Sequence, residues 1–379
     1  MVSLQMIQDT SDNLSVTSED NFSIAQLSKT GEPTASNNPG NSRATHIVPR
    51  KISEVWYGEE DRFIVFQAEE FVFRPLPQTT FANRSYVFSE LLKNPNEPSA
   101  HFEEVETYLL NGLTVFKLLG VTAEEAKYFL SALYDAGYFE PPPSKCTIDM
   151  AIAILKLSTR YEVQFLRRKA LAHLETGYPI ELRDWDRRKD RSTFSMDRDF
   201  GNNFTMSPTT LHETLAVIDV AYTCNAPWLL PSASYELGMH TIHSLVKHPL
   251  WKSIDDDLKA QLDVGRSQQA LGFRRVLSFL NIPSLTETCS NGDYTCTEAR
   301  RKTRQLLDNE GWVTSDPLKM WDEEEWNADD LPLAESCEQC LEVCRSRHRR
   351  DRQHFWDSLP ELYGWPCWSE LRALQVTAT

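Results

Sequence analysis

Two short runs, Phe63-Ile64-Val65-Phe66 and Phe71-Val72-Phe73, stand on either side of Glu69-Glu70. Aromatic and β-branched residues suit a pleated, half-buried surface, and two such runs this close together share one only if the chain turns back on itself. The sequence therefore predicts a hairpin over 61–74, and with it a sheet that later segments must cover. Tyr86-Val87-Phe88 with Leu91-Leu92 has helical spacing, and 113–119 reads as a further strand. The stretch between them, 94–111, is polar and proline-containing at its start and reads as an insertion.

Helices dominate from there on. Thr122 followed by Glu125 has the form of a capping box, and Ala126, Phe129, Leu130, Leu133 and Tyr134 make one apolar stripe behind it. Pro141-Pro142-Pro143 is a stiff break. Thr147 or Asp149 opens the next helix, and another covers about 163–175. Residues 183–199 carry dense charge of both signs and read as a solvated loop. Helical patterns resume from about 207 to 248 and again over 256–280. The last hundred residues are rich in Trp and Cys.

The first 50 residues are Ser-, Thr-, Asn- and Asp-rich without a sustained period, which predicts a disordered tail. The expected organisation is a tail at 1–50, an α+β domain at 51–180, a charged linker at 181–205 and a mainly helical region at 206–376.

Composition sets limits on function. A net charge of −16 argues against non-specific binding to a phosphate backbone. No stretch reaches the roughly 18–20 apolar residues of a membrane span, and the N-terminus has neither the basic flank nor the apolar core of a signal peptide. An intracellular protein, cytoplasmic or nuclear, is expected, with its eight cysteines reduced rather than paired in a disulfide framework. Phosphate-loop, dinucleotide, nucleophile-elbow and zinc-protease motifs are all missing from the sequence, so catalysis is not expected.

The order of phrases over 55–176 resembles a BTB/POZ domain. The hairpin phrases Asp61-Arg62-Phe63-Ile64-Val65-Phe66 and Phe71-Val72-Phe73-Arg74 are similar to the family's opening strands. Ser85-Tyr86-Val87-Phe88-Ser89-Glu90-Leu91-Leu92, then Phe129 to Tyr138, then Ala153 to Tyr161 with Leu166-Arg167, resemble its successive helices. The whole layout, with Pro227-Trp228-Leu229-Leu230-Pro231 downstream, resembles the large set of such proteins in mushroom-forming fungi. Two departures stand out: Arg74 is followed by Pro75 with no histidine in the turn, and 94–111 is unusual in length. The resemblance implies a short β-sheet capped by a helical bundle, homodimerisation and recruitment of protein partners. A cullin-type ubiquitin ligase is one such partner.

One cluster has the residue types of a metal site. Cys289 and Cys296 lie in a polar, glycine-containing stretch, and Cys337-Glu-Gln-Cys340 follows some 40 residues later. A C-x-x-C pair brings two thiolates to one ion, and a second pair completes a tetrahedral structural zinc site. Against that, Cys337, Cys340, Cys344 and His348 fall at i, i+3, i+7 and i+11. That is one helical stripe, and reduced cysteine often lies in packed faces. The packed face is the preferred reading and zinc its rival. The run Arg345-Ser-Arg-His-Arg-Arg-Asp-Arg352 supports an alternative function, a zinc-stabilised nuclear regulator contacting nucleic acid. Six acids within 322–330 make a self-paired helix face the favoured account. His240 and His243 lack a third ligand and are read as ordinary core or surface histidines.

Overall fold

A computed structural model of the chain describes residues 62–73, 75–93, 105–188, 192–194, 210–281, 289–291, 293–309, 316–327 and 331–378. The expected tail and the insertion residues 94–104 lie outside these.

The expected hairpin forms. β1 (Phe63–Ala68) pairs antiparallel with β2 (Phe71–Val72), and Glu69 takes a left-handed conformation in the turn. A second short strand, β3 (Leu76–Pro77), pairs with the start of β1 and leads into α1 (Gln78–Ala82) and α2 (Tyr86–Lys93). These helices carry the chain over the sheet. It returns through β4 (Val105–Leu110) and β5 (Leu113–Leu118), and β5 lies parallel to β1 with Val65 opposite Val115. The main strand order is β2-β1-β5-β4.

The insertion reading of 94–111 needs correction at its end. Residues 105–110 form a full strand, in register with β5 from Val105–Leu118 to Leu110–Leu113. Asn111 and Gly112 both have positive φ, as a tight two-residue hairpin turn requires.

Ile64, Phe66, Ala68, Phe116 and Leu118 face the helices, where Phe66 packs against Phe81 and Phe88. α3 (Ala123–Tyr134) begins with the capping box, Thr122 accepting from the Glu125 N–H and Glu125 accepting from the Thr122 N–H. Its stripe is buried as expected except for Tyr134, which faces outward. After the proline break come α4 (Ile148–Arg160), capped by Thr147, and α5 (Gln164–Gly177).

Residues 182–188, expected in a solvated loop, are packed. α6 (Leu182–Asp186) buries Leu182 and Trp185, and Trp185 contacts Tyr235 and Trp356. The Arg188 guanidinium lies 3.5 Å over the Trp185 ring and pairs with buried Glu236 at 3.1 Å.

The chain continues through α7 (Leu211–Thr223), α8 (Leu230–Met239), α9 (Ile242–Lys247), α10 (Pro249–Ser253) and the long α11 (Asp256–Val276). α12 (Asp293–Asn309), α13 (Glu323–Trp326), α14 (Glu338–Leu362) and α15 (Trp368–Ala378) complete it.

One hydrophobic cluster runs from Ile64 to Leu371, so the core does not part at 181–205. α15 closes back on the first half. Arg167 of α5 donates to the Ala378 carbonyl, and Arg372 pairs with Glu181. A second, smaller cluster gathers Phe273, Phe279, Trp321, Trp326, Leu333, Leu341 and Cys344 beside α12 and the first half of α14. The architecture is therefore mixed α and β, mostly helical, with a small N-terminal sheet. Among the described residues no helix is long and apolar enough to cross a membrane.

Candidate metal centre

α12 and α14 both start at the same place. Cys296 lies in the first turn of α12, and Cys289 lies on the loop leading into it. Cys337 is the N-cap of α14, and Cys340 sits in that helix's first turn. The short turn Pro332–Glu335 packs along α12, and Asn291 donates to the Glu335 carbonyl. These contacts hold the two cysteine-bearing segments together although they are some 40 residues apart in sequence.

The four Sγ atoms lie within 4.8 Å of one another. Cys289 Sγ is 3.4 Å from Cys296 Sγ and 3.8 Å from Cys337 Sγ. A tetrahedron with metal–sulfur bonds of about 2.3 Å has edges of about 3.8 Å, so the quartet has the dimensions of an all-thiolate zinc shell. Cys296, Cys337 and Cys340 are buried and Cys289 is half-buried. A closed site of this kind holds a structural ion and leaves no coordination position for substrate.

The thiols are unequal. Burial opposes ionisation of Cys337, yet the Cys340 N–H and the hydroxyl and N–H of Ser290 hold it down at about 5. Burial raises the Cys296 thiol, although its sulfur accepts from the Cys337 N–H at 3.3 Å.

The expected stripe along α14 divides between the two readings. Cys337 and Cys340 join the thiol quartet, while Cys344 and His348 belong to the packed face. Cys344 is fully buried, and desolvation pushes its thiol up to about 12. His348 lies against Phe279, Trp321 and Trp326, and burial brings its imidazole down to about 3. It is a core residue rather than a ligand.

The arginine run is engaged within the chain. Arg345 pairs with Glu323 at 2.9 Å and with Glu338 at 3.4 Å, and Arg349 pairs with Glu342 at 2.9 Å. Arg352 is buried, bonding Asp186 and the Leu318 carbonyl. His240 caps the end of α8, His243 contacts Lys247, and neither joins a metal-ligand group among the described residues.

One buried polar network has no signal in the sequence. Tyr235 donates to Asp316 at 2.5 Å and accepts from the Leu318 N–H at 2.8 Å, next to the Arg188–Glu236 and Arg352–Asp186 pairs. Its members lie up to 166 residues apart, and no local pattern links them. Comparison of the chain with family models, with curated proteins and with solved structures finds no match to any of them.

Proposed function

We propose that this chain is a non-enzymatic protein-interaction protein. Its N-terminal part self-associates and recruits partners as a BTB/POZ-like module, and its C-terminal part is held by a structural zinc ion at Cys289, Cys296, Cys337 and Cys340. The exposed rim of the sheet carries the interaction reading. β4 uses one side of its backbone on β5 and, at the end of the strand order, displays Tyr108, Leu109 and Leu110, with Leu109 73% exposed. At the opposite rim, β2 exposes Phe71 and Val72. Apolar side chains on open strand edges favour pairing with another chain. The parallel β1–β5 pairing, reached through a helical crossover and followed by α3 to α5, supports the family resemblance. A cullin-type ubiquitin ligase is the partner class that this resemblance suggests.

The nucleic-acid alternative gains no support from the self-paired arginines. Native mass spectrometry of the full chain, with and without chelator, tests both parts of the proposal. The expected species is a homodimer carrying one zinc per chain, which becomes monomeric in Leu109→Lys. A wild-type monomer would sink the self-association reading. A metal-free chain after purification with added zinc would sink the zinc reading.

A further inference from the structure

A divalent ion in four ionised thiolates leaves a net charge of −2 in a largely buried site, and such a charge is costly without nearby positive partners. The structure places positive groups around the quartet. α12 and α14, of 17 and 25 residues, both begin there, and each N-terminus presents roughly half a positive charge. One turn further along α12, on the same face as Cys296, lies Arg300, 1% exposed and donating to Thr297 Oγ1 at 3.1 Å. On the facing helix the equivalent step from Cys340 leads to Cys344. Burial dominates the rise of the Cys344 thiol; the Arg300 and Arg347 cations oppose it and Cys296 adds to it. Arg300 and Cys296, four residues apart and both buried, therefore share the inner face of α12. Two helix ends and one buried guanidinium supply about two positive charges, equal and opposite to the filled site.

We infer that Arg300 is the charge-balancing residue of the cysteine centre, which takes a soft divalent metal ion with all four thiols ionised. Resting on the zinc reading above, this goes further by assigning the site's charge state and a residue outside its ligand shell. Arg300 is not one of the four ligands and acts as a positioning residue.

The test compares the full chain with Arg300→Met, Arg300→Lys and Arg301→Met, each loaded with zinc and titrated with a competing chelator. Arg301 is the control, since it sits on the same helix but faces solvent and pairs with Glu298. Arg300→Met is expected to weaken zinc binding about 10–100-fold, Arg300→Lys to restore most of the affinity, and Arg301→Met to match wild type. Cobalt(II) in place of zinc should give a tetrahedral tetrathiolate spectrum in every variant, showing that the ligands themselves are intact. Unchanged zinc affinity in Arg300→Met, or no recovery with lysine, would overturn the inference while leaving the zinc site standing. A wild-type chain that gives no tetrathiolate cobalt spectrum would overturn the zinc reading itself. If Arg300→Met does not fold, Arg300→Gln against Arg300→Lys gives the same comparison: tighter binding by lysine supports the role and equal binding overturns it.

Discussion

Gly265 and Gly272 lie two turns apart on α11, and each faces an aromatic ring from the end of α14. A Cβ at 265 would run into the Tyr363 ring, and one at 272 into the Phe355 ring. Both rings belong to the main core, so neither can swing away freely. Gly265→Ala and Gly272→Ala are each expected to cost about 1–3 kcal/mol through overpacking, read as a lower urea midpoint at unchanged slope. Gly137→Ala is the contrast, since a Cβ there meets only Asp135 Oδ1 at ordinary contact distance, and little change is expected. His348 offers a second test at this scale. Its folded imidazole titrates at about 3, against about 6.5 in an unfolded chain. Between those values the unfolded state holds a proton that the folded state refuses, so stability rises with pH. The contribution is complete above about pH 6.5 and is lost on acidification toward 3, at most roughly 4–5 kcal/mol. His348→Leu should therefore flatten the pH dependence of unfolding in that window relative to wild type. Parallel curves for the two proteins would rule the mechanism out.

The β4–β5 hairpin depends on its turn. Asn111 and Gly112 both adopt left-handed conformations, and only glycine does so without a Cβ penalty. Gly112→Val should cost about 1–2 kcal/mol, with the β4 amides losing hydrogen-exchange protection first. The turn also shows how far each element could be read from sequence. Asn-Gly is the strongest short-range hairpin signal there is, and it stood in plain view between 105–110 and 113–118. β4 concealed it, because its apolar residues do not alternate: Val105 alone packs against the core, and Tyr108, Leu109 and Leu110 follow one another in the exposed part of the strand. β1, with neighbours on both sides, and α3, with its capping box, were legible because their burial and their caps are written locally. On α14 the cysteine stripe was visible, but its division was not. Whether a thiol on that face meets other thiols or tryptophans depends on α12 and on Trp321 and Trp326, which are remote in sequence. The arginine run posed the same difficulty, and only the fold shows Arg352 buried against Asp186 of α6.

At the scale of the whole molecule, two kinds of glue are distributed unevenly. The sheet, α3 to α8 and the end of α14 share one continuous apolar core. The region of α12, α13 and the start of α14 has a smaller apolar cluster and, on the proposed reading, depends on the cysteine centre to fix its ends. A structural zinc ion contributes its binding energy directly to folding, so removing it should act where the apolar core is thinnest. Treating the zinc-loaded chain with a strong chelator is expected to increase amide exchange in 293–309 and 331–344, while β1, β5 and α3 to α5 keep their protection. The shared elements explain why the loss should remain local. The second half of α14 is pinned to the main core by Phe355, Trp356 and Leu359, and to α6 by the Arg352–Asp186 pair, so unwinding from Cys337 should stop before Arg352. Returning zinc should restore protection without refolding the rest. Exchange that rises uniformly across the chain would mean that the two regions form one cooperative unit. Exchange that does not respond to the chelator would show that packing alone holds α12 to α14, and the cysteine quartet would then be part of the core.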